Sequence, residues 1–199
     1  QARLYEMELS KKQTQLYAYQ SQINPHFLYN MLQCMRGISL MHGIREVAQI
    51  CTNMADLFRY SIKGAFLVYL EDELSIIDKY LYMIRVRFQD KITYSLEIAE
   101  DTKKCKIPKM ILQPLVENSI FHGLESIEDN GFIHIRTFRE GDGLFITIQD
   151  NGIGFDEVTL KELEELLSQD IPSDINATFN EAKGLGIINI HNKIRLYEG

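Results

Sequence analysis

Gln22-Ile23-Asn24-Pro25-His26-Phe27-Leu28-Tyr29-Asn30 sets a proline and then a histidine inside a stretch that otherwise reads as one long helix. Pro25 has no N–H to donate and its ring crowds the carbonyl of Ser21, so a bend is expected just before His26. From Ala2 to Leu40 helix breakers are almost absent. A seven-residue grid puts Ala2, Leu9, Leu16 and Ile23 on one seam position and Tyr5, Lys12 and Tyr19 on the other, a thin coiled-coil seam with one charged member. Extended strictly, that seam turns His26 inward, so for the ring to reach solvent the Pro25 bend would have to rotate it outward. Beyond the proline, Phe27, Leu28, Met31, Leu32, Met35 and Ile38 make a broad apolar stripe. After a turn at His42-Gly43, Val47, Ile50, Cys51, Met54, Leu57, Phe58 and Ile62 recur at spacings of three and four and predict a second amphipathic helix. One such hairpin cannot cover its own stripes, whereas two copies packed as a twofold four-helix bundle can.

Lys63-Gly64 closes the hairpin, and the pattern then becomes mixed. Glu71 to Phe88 reads as a helix that buries Leu74, Ile77, Leu81, Ile84 and Phe88. Ile92, Tyr94, Leu96 and Ile98 alternate as a strand. Pro108 is expected to open a very apolar helix running to about Phe121. Gly131 to Arg139 and Gly143 to Asp150 read as strands joined by the turn Glu140-Gly141-Asp142-Gly143. A long polar stretch, Asp156 to Lys183, carries a short helix at Leu160, Leu163 and Leu167. Gly186 to Tyr197 closes as a helix.

The 199 residues suffice for one or two domains with a real core. A net charge of −7 gives no electrostatic footprint for nucleic acid. Cys34, Cys51 and Cys105 have no CxxC spacing and, with two of them on apolar helical faces, read as reduced core thiols of a cytosolic chain. No apolar run approaches the roughly 18 residues of a membrane span, and the polar start has no signal-peptide pattern. The chain begins in mid-helix at Gln1, so an upstream part is expected.

His26 is a competent nucleophile near neutral pH, because an unperturbed imidazole has a pKa of about 6.5. A lone helical histidine is also commonly a plain surface or core residue. Asn30, one turn later, can hydrogen-bond the ring or orient a water, or be an ordinary surface amide. In Asp150-Asn151-Gly152-Ile153-Gly154 a carboxylate at a strand end can accept a hydrogen bond from an exocyclic amine, while Gly152 and Gly154 allow close backbone approach. The same residues also describe an Asp-Gly turn. Gly184 and Gly186 precede a helix whose first N–H groups can hold phosphate, or serve only a turn. Asn118 sits in an apolar helix where an amide needs a partner, either backbone or a magnesium ion that takes the rest of its shell from water and phosphate. The order of these pieces, with a polar stretch between the last two where a lid over a nucleotide would lie, says more than any one of them.

Together these residues resemble the LytS/YesM-like group of bacterial sensor histidine kinases. The matching segments are QINPHFLYN from Gln22, LEDELSIIDKYLYMIRVRF from Leu70, IPKMILQPLVENSIFHG from Ile107, DNGIGF from Asp150 and GLGIINIHNKIRL from Gly184. The resemblance implies an α+β chain: a helical-hairpin dimerisation domain over residues 1–66, a four-helix bundle as a dimer, then an α/β sandwich of the histidine kinase/gyrase/Hsp90 ATPase type over 67–199. It implies that His26 is phosphorylated from ATP with Mg²⁺, with Asn30 assisting, and that the phosphoryl group passes to the receiver domain of a response regulator. Asn118 would be the metal ligand and Asp150 the adenine-reading carboxylate. His122, Gly152, Gly154, Gly184, Gly186 and Asn189 would complete the nucleotide site and its lid ends. The implied setting is the cytoplasmic part of a homodimeric membrane sensor.

This chain departs from the pattern in having Phe121 where relatives often carry lysine, and Phe27 after His26 where other histidine kinases place an acid. It also stops at Gly199, where relatives continue with further strands. Two other classes share parts of the pattern. An ATPase of the gyrase kind needs a carboxylate one turn before the asparagine, where Pro114 stands, leaving Glu117 as the candidate base. A kinase-shaped scaffold without turnover is the other.

Overall fold

The structure, a computed structural model, describes residues 25–125, 127, 129–168 and 185–198. The seam, the chain ahead of Pro25 and Gly184 lie outside these residues. The chain divides into two compact units between Ile62 and Lys63.

In the first unit α1 (Pro25–Met41) and α2 (Arg45–Ile62) pack against one another. Their turn follows from Gly43, whose φ of +72° lets Ile44 N–H reach the Ser39 carbonyl at 2.8 Å and Gly43 N–H the Leu40 carbonyl at 3.1 Å. Those two bonds satisfy carbonyls that the helix end would otherwise leave open. Leu32, Ala48, Cys51 and Ala55 form the buried seam, with alanines letting the helices approach. Phe27, Met31, Met35 and Ile38, together with Val47 and Met54, stay exposed. Cys34 is exposed too, against the expectation of a core thiol. It lies two residues past Leu32, about 200° round the helix from the one strip that α2 covers. Cys51 is buried, and all three cysteines are free thiols.

The second unit runs β1 (Leu67–Tyr69), α3 (Leu70–Arg87), β2 (Ile92–Ile98), β3 (Lys106–Pro108), α4 (Leu112–Asn118), β4 (Gly131–Glu140), β5 (Gly143–Asp150), α5 (Glu157–Ser168) and α6 (Leu185–Glu198). Past Asn118 helix α4 widens into a π-helical stretch, Ser119–Leu124. The main sheet is ordered β2-β4-β5, with β2 parallel to β4 and β5 antiparallel to it. Alternation turns Ile133, Ile135 and Thr137 of β4 inward, together with Ile92 of β2. The helices supply the facing apolar residues: Leu74, Ile77, Leu81 and Ile84 from α3, and Leu112, Val116, Ile120 and Leu124 from α4 and its extension. The mixed helix-and-sheet architecture is α+β.

Pro108 does not open a helix. It ends β3, opposite Leu67 of β1, in a small two-stranded antiparallel sheet. A proline without an N–H is tolerated at such an edge. Two residues on, Met110 takes a φ of +58° and gives its N–H to Glu73 Oε1 at 2.6 Å, so the helix starts only at Leu112.

Candidate functional site

A cleft of about 550 Å³ opens between α4, the end of β5 and the first turns of α5 and α6. That volume suits a small-molecule ligand. Leu115, Ile146, Ile148, Ile153, Phe155 and Ile187 give it apolar walls, a slot for a flat ring. Asn118, His122, Asp150, Asp156 and Thr159 supply its polar groups.

Asp150 is half-buried where β5 ends. Its Oδ1 accepts the N–H of Gly152 at 2.9 Å. A carboxylate has about four acceptor positions, so the group keeps capacity for a donor inside the cleft. The floor is set by two glycines. A β-carbon on Gly152 would overlap the backbone of Gly123, and one on Gly123 would lie 2.9 Å from Asp150 Oδ1. Ile153 N–H also donates to the Gly123 carbonyl at 3.1 Å. Gly154 takes a φ of +67° with open space around it, so its requirement is conformational rather than steric.

Asn118 is half-buried on the last turn of α4, and its amide nitrogen lies 3.9 Å from where a β-carbon on Gly186 would stand. His122, one turn later, is exposed at the rim. Asp156 caps α5: its carboxylate accepts Thr159 N–H at 2.9 Å, Thr159 Oγ1–H at 2.7 Å and Val158 N–H at 3.1 Å. The bonds from Thr159 hold its pKa below the ordinary carboxylate value.

In the first unit, His26 stands exposed in the first turn of α1. This is opposite to the inward position that the extended seam implies, and it leaves the ring accessible. Asn30 Nδ2 lies 3.3 Å from Nδ1 and 3.4 Å from Nε2, close enough to donate to whichever ring nitrogen carries no proton.

Residues 14–92 match a family model described as Histidine kinase. The chain is 34% identical over 191 residues to the sensor histidine kinase YesM of Bacillus subtilis (strain 168), covering 94% of this chain and 33% of that protein. It is 31% identical over 196 residues to the sensor histidine kinase YpdA of Escherichia coli (strain K12), covering 96% and 32%. With the sensor protein kinase HptS of Staphylococcus aureus (strain USA300) it shares 31% over 189 residues, covering 93% and 34%. The chain belongs to the YesM/LytS-like sensor histidine kinases.

It spans about a third of the length of these curated relatives. Among the described residues no helix is long and apolar enough to cross a membrane. Of the residues singled out in the sequence, the cleft gathers Asn118, His122, Asp150 and Gly154. Gly152 lies beneath it, and Gly186 abuts Asn118 and Pro114. Asn189 is exposed on α6 and is not part of the lining. The Phe121 ring carries the Arg87 guanidinium 5.5 Å over its centroid.

Two residues of the site went unnoticed in the sequence. Gly123 looks like the end of a helix, and only the Asp150 carboxylate, 2.9 Å from where its β-carbon would stand, reveals why it has no side chain. Asn151 sits inside the DNGIG run but faces away from it. Its Oδ1 accepts Phe132 N–H at 2.7 Å and its Nδ2 donates to the Asn130 carbonyl at 2.9 Å, stapling the start of β4 to the end of β5.

Proposed function

We propose that this chain is the autokinase core of a sensor: it binds ATP in the cleft, phosphorylates His26 and hands the phosphoryl group to an aspartate on a response-regulator receiver domain. The observation that carries this reading is the convergence of Asn118, His122, Asp150 and Gly154 on one cleft, in a chain that also presents an exposed histidine. The adenine ring would fill the slot between Leu115, Ile146, Ile148 and Ile187, its amine donating to Asp150. The phosphates would then run toward Asn118, His122 and the start of α6. This arrangement is the basis for assigning the second unit to the sandwich type shared with gyrase and Hsp90.

The residues present suit magnesium. Among the described residues no three His, Cys, Asp or Glu side chains cluster as a metal cage, and the cleft offers the amide of Asn118. An ion that keeps waters and takes phosphate oxygens needs little more from the protein. When bound with ATP it would neutralise phosphate charge. The work left to the chain is positioning. An unprotonated ring nitrogen of His26 attacks the γ-phosphorus in line, the bond to the β,γ-bridging oxygen breaks, and ADP leaves. Asn30 fits the task of fixing the ring once its amide is turned to accept the N–H of the nitrogen that does not attack, which leaves the attacking lone pair free.

The exposed stripe of Phe27, Met31, Met35 and Ile38 supports a homodimer, since a second hairpin would cover it. The named sensors among the relatives support a longer membrane protein around this core. A gyrase-like ATPase is the weaker reading. Pro114 holds the position such a base would need, and the Glu117 carboxylate accepts Gln113 Nε2–H at 2.8 Å and does not line the cleft.

The deciding experiment is incubation with γ-labelled ATP and Mg²⁺ beside His26→Gln. Label that is acid-labile, alkali-stable and absent from the variant is the expected result. ATP hydrolysis without label would favour the ATPase, and binding without either would favour a scaffold.

A further inference from the structure

Lysines are rarely buried unless paired, yet the second unit sets a buried lysine, Lys109, and a half-buried one, Lys193, near the buried Glu73. Glu73 of α3 is 2% exposed and accepts the Met110 N–H. Lys109, 9% exposed, donates its ammonium to the carbonyl of Lys63 and its backbone N–H to the carbonyl of Phe66 at 2.8 Å. Lys193 arrives from α6. Its ammonium donates to the Lys109 carbonyl and lies 5.6 Å over the Phe66 ring. Burial pulls the Lys193 pKa down, the Glu73 charge works against that, and the Lys109 charge adds to it. Lys63 to Phe66 is the segment through which the chain enters this unit, so one cluster ties that segment, β3, α3 and α6 together.

The other end of α6 forms the cleft. Ile187 lines it, and Gly186 stands against Pro114 and Asn118. Two helical turns, roughly 10 Å, separate these residues from Lys193. A helix is stiff over that distance, so a shift at Lys193 is carried to the wall of the cleft.

We infer that Lys193 is a positioning residue for the nucleotide site: it fixes α6 against Lys109 and Phe66, so that occupancy of the cleft and order in the Lys63–Phe66 segment strengthen each other. The inference rests on the proposal that the cleft takes ATP. Linkage makes the effect reciprocal. If a fixed α6 improves nucleotide binding, bound nucleotide must protect the segment to which α6 is fixed.

The test uses the whole 199-residue chain with ATP and Mg²⁺. Affinity is measured by titration calorimetry, and amide hydrogen exchange at residues 63–66 is followed with and without saturating nucleotide. In the wild type, nucleotide is expected to slow that exchange several-fold. Lys193→Met should weaken ATP binding by about fivefold or more, in the usual range of coupling between sites, and abolish the protection. Lys193→Arg, which keeps a cation and donors, should restore both. ATP binding to the wild type without protection of residues 63–66 overturns this inference alone, even if Lys193→Met fails to fold. No ATP binding by the wild type overturns the reading of the cleft, and this inference with it. Equal affinity and equal protection in Lys193→Met also refute it.

Discussion

Gly152 rests so closely on the backbone of Gly123 that no β-carbon fits at position 152. The contact joins the end of the α4 extension to the end of β5, and thereby sets the depth of the cleft. Gly152→Ala must push these segments apart. Overpacking commonly costs about 1–3 kcal/mol, and here the opposing atoms are backbone, so the upper end is expected together with loss of ATP binding. Gly186→Ala is the control for packing alone, because a methyl there meets Pro114 and Asn118 only at 3.7 and 3.9 Å. Thermal melts of both variants check that contrast, and an ATP titration of Gly152→Ala checks the loss of binding.

Asp150→Asn separates the fold from the ligand. The amide oxygen of asparagine can still accept the Gly152 N–H, so the variant should melt close to the wild type. In the cleft, a hydrogen bond to a charged group is worth about 1.5–3 kcal/mol, which predicts a loss of ATP affinity of roughly 10- to 100-fold. An unchanged dissociation constant would remove Asp150 from the adenine site.

Tyr94 provides a pH test. Its hydroxyl donates to Asp78 Oδ1 at 3.0 Å, and burial first, then that bond, push its pKa from 10.0 up to about 12. The neutral phenol is the form the fold favours. Its contribution to stability is therefore complete below pH 10 and is lost as pH rises through about 12. Tyr80 shifts in the same direction, through burial first and then the charge of Glu117. Urea midpoints of Tyr94→Phe should fall less steeply across this window than those of the wild type, while retaining some slope from Tyr80.

Met35→Glu addresses the dimer. Met35 is 47% exposed on α1, so a carboxylate there costs the isolated hairpin little, whereas between two hairpins it would be buried without a partner. Sedimentation should find a dimeric wild type and a monomeric variant with unchanged helicity. A dimer that survives Met35→Glu would move the interface elsewhere.

How far the sequence could be read depended on the range of the interactions. The strands around Ile92, Ile133 and Ile146 were legible because alternation is a local pattern, as were the amphipathic helices. β1 and β3 were not, since three residues carry no period and their pairing brings Leu67 to Pro108. Pro108 itself obeyed a partner distant in sequence, and the late start of α4 depends on the side chain of Glu73. The site divides in the same way. Asn118 and Asp150 announced their chemistry by type and setting, while Gly123 and Asn151 acquire their roles only when separate segments meet. Asn189, which only the resemblance assigns to the site, stands exposed on α6, outside the lining formed by the described residues.

The parallel pairing of β2 with β4 also sets an order of assembly. β4 and β5 are joined by the tight turn at Gly141, with a φ of +59°, and can zip locally, on the microsecond scale of hairpins. β2 meets β4 across a separation of 39 residues, as between Ser95 and His134, with β3, α4 and its extension between them. Closing so long a loop costs chain entropy before any contact repays it. Amides of β2 should thus gain protection after those of β4 and β5 in pulse-labelled refolding, and Ile92, locked last, marks where a newly made chain stays open longest.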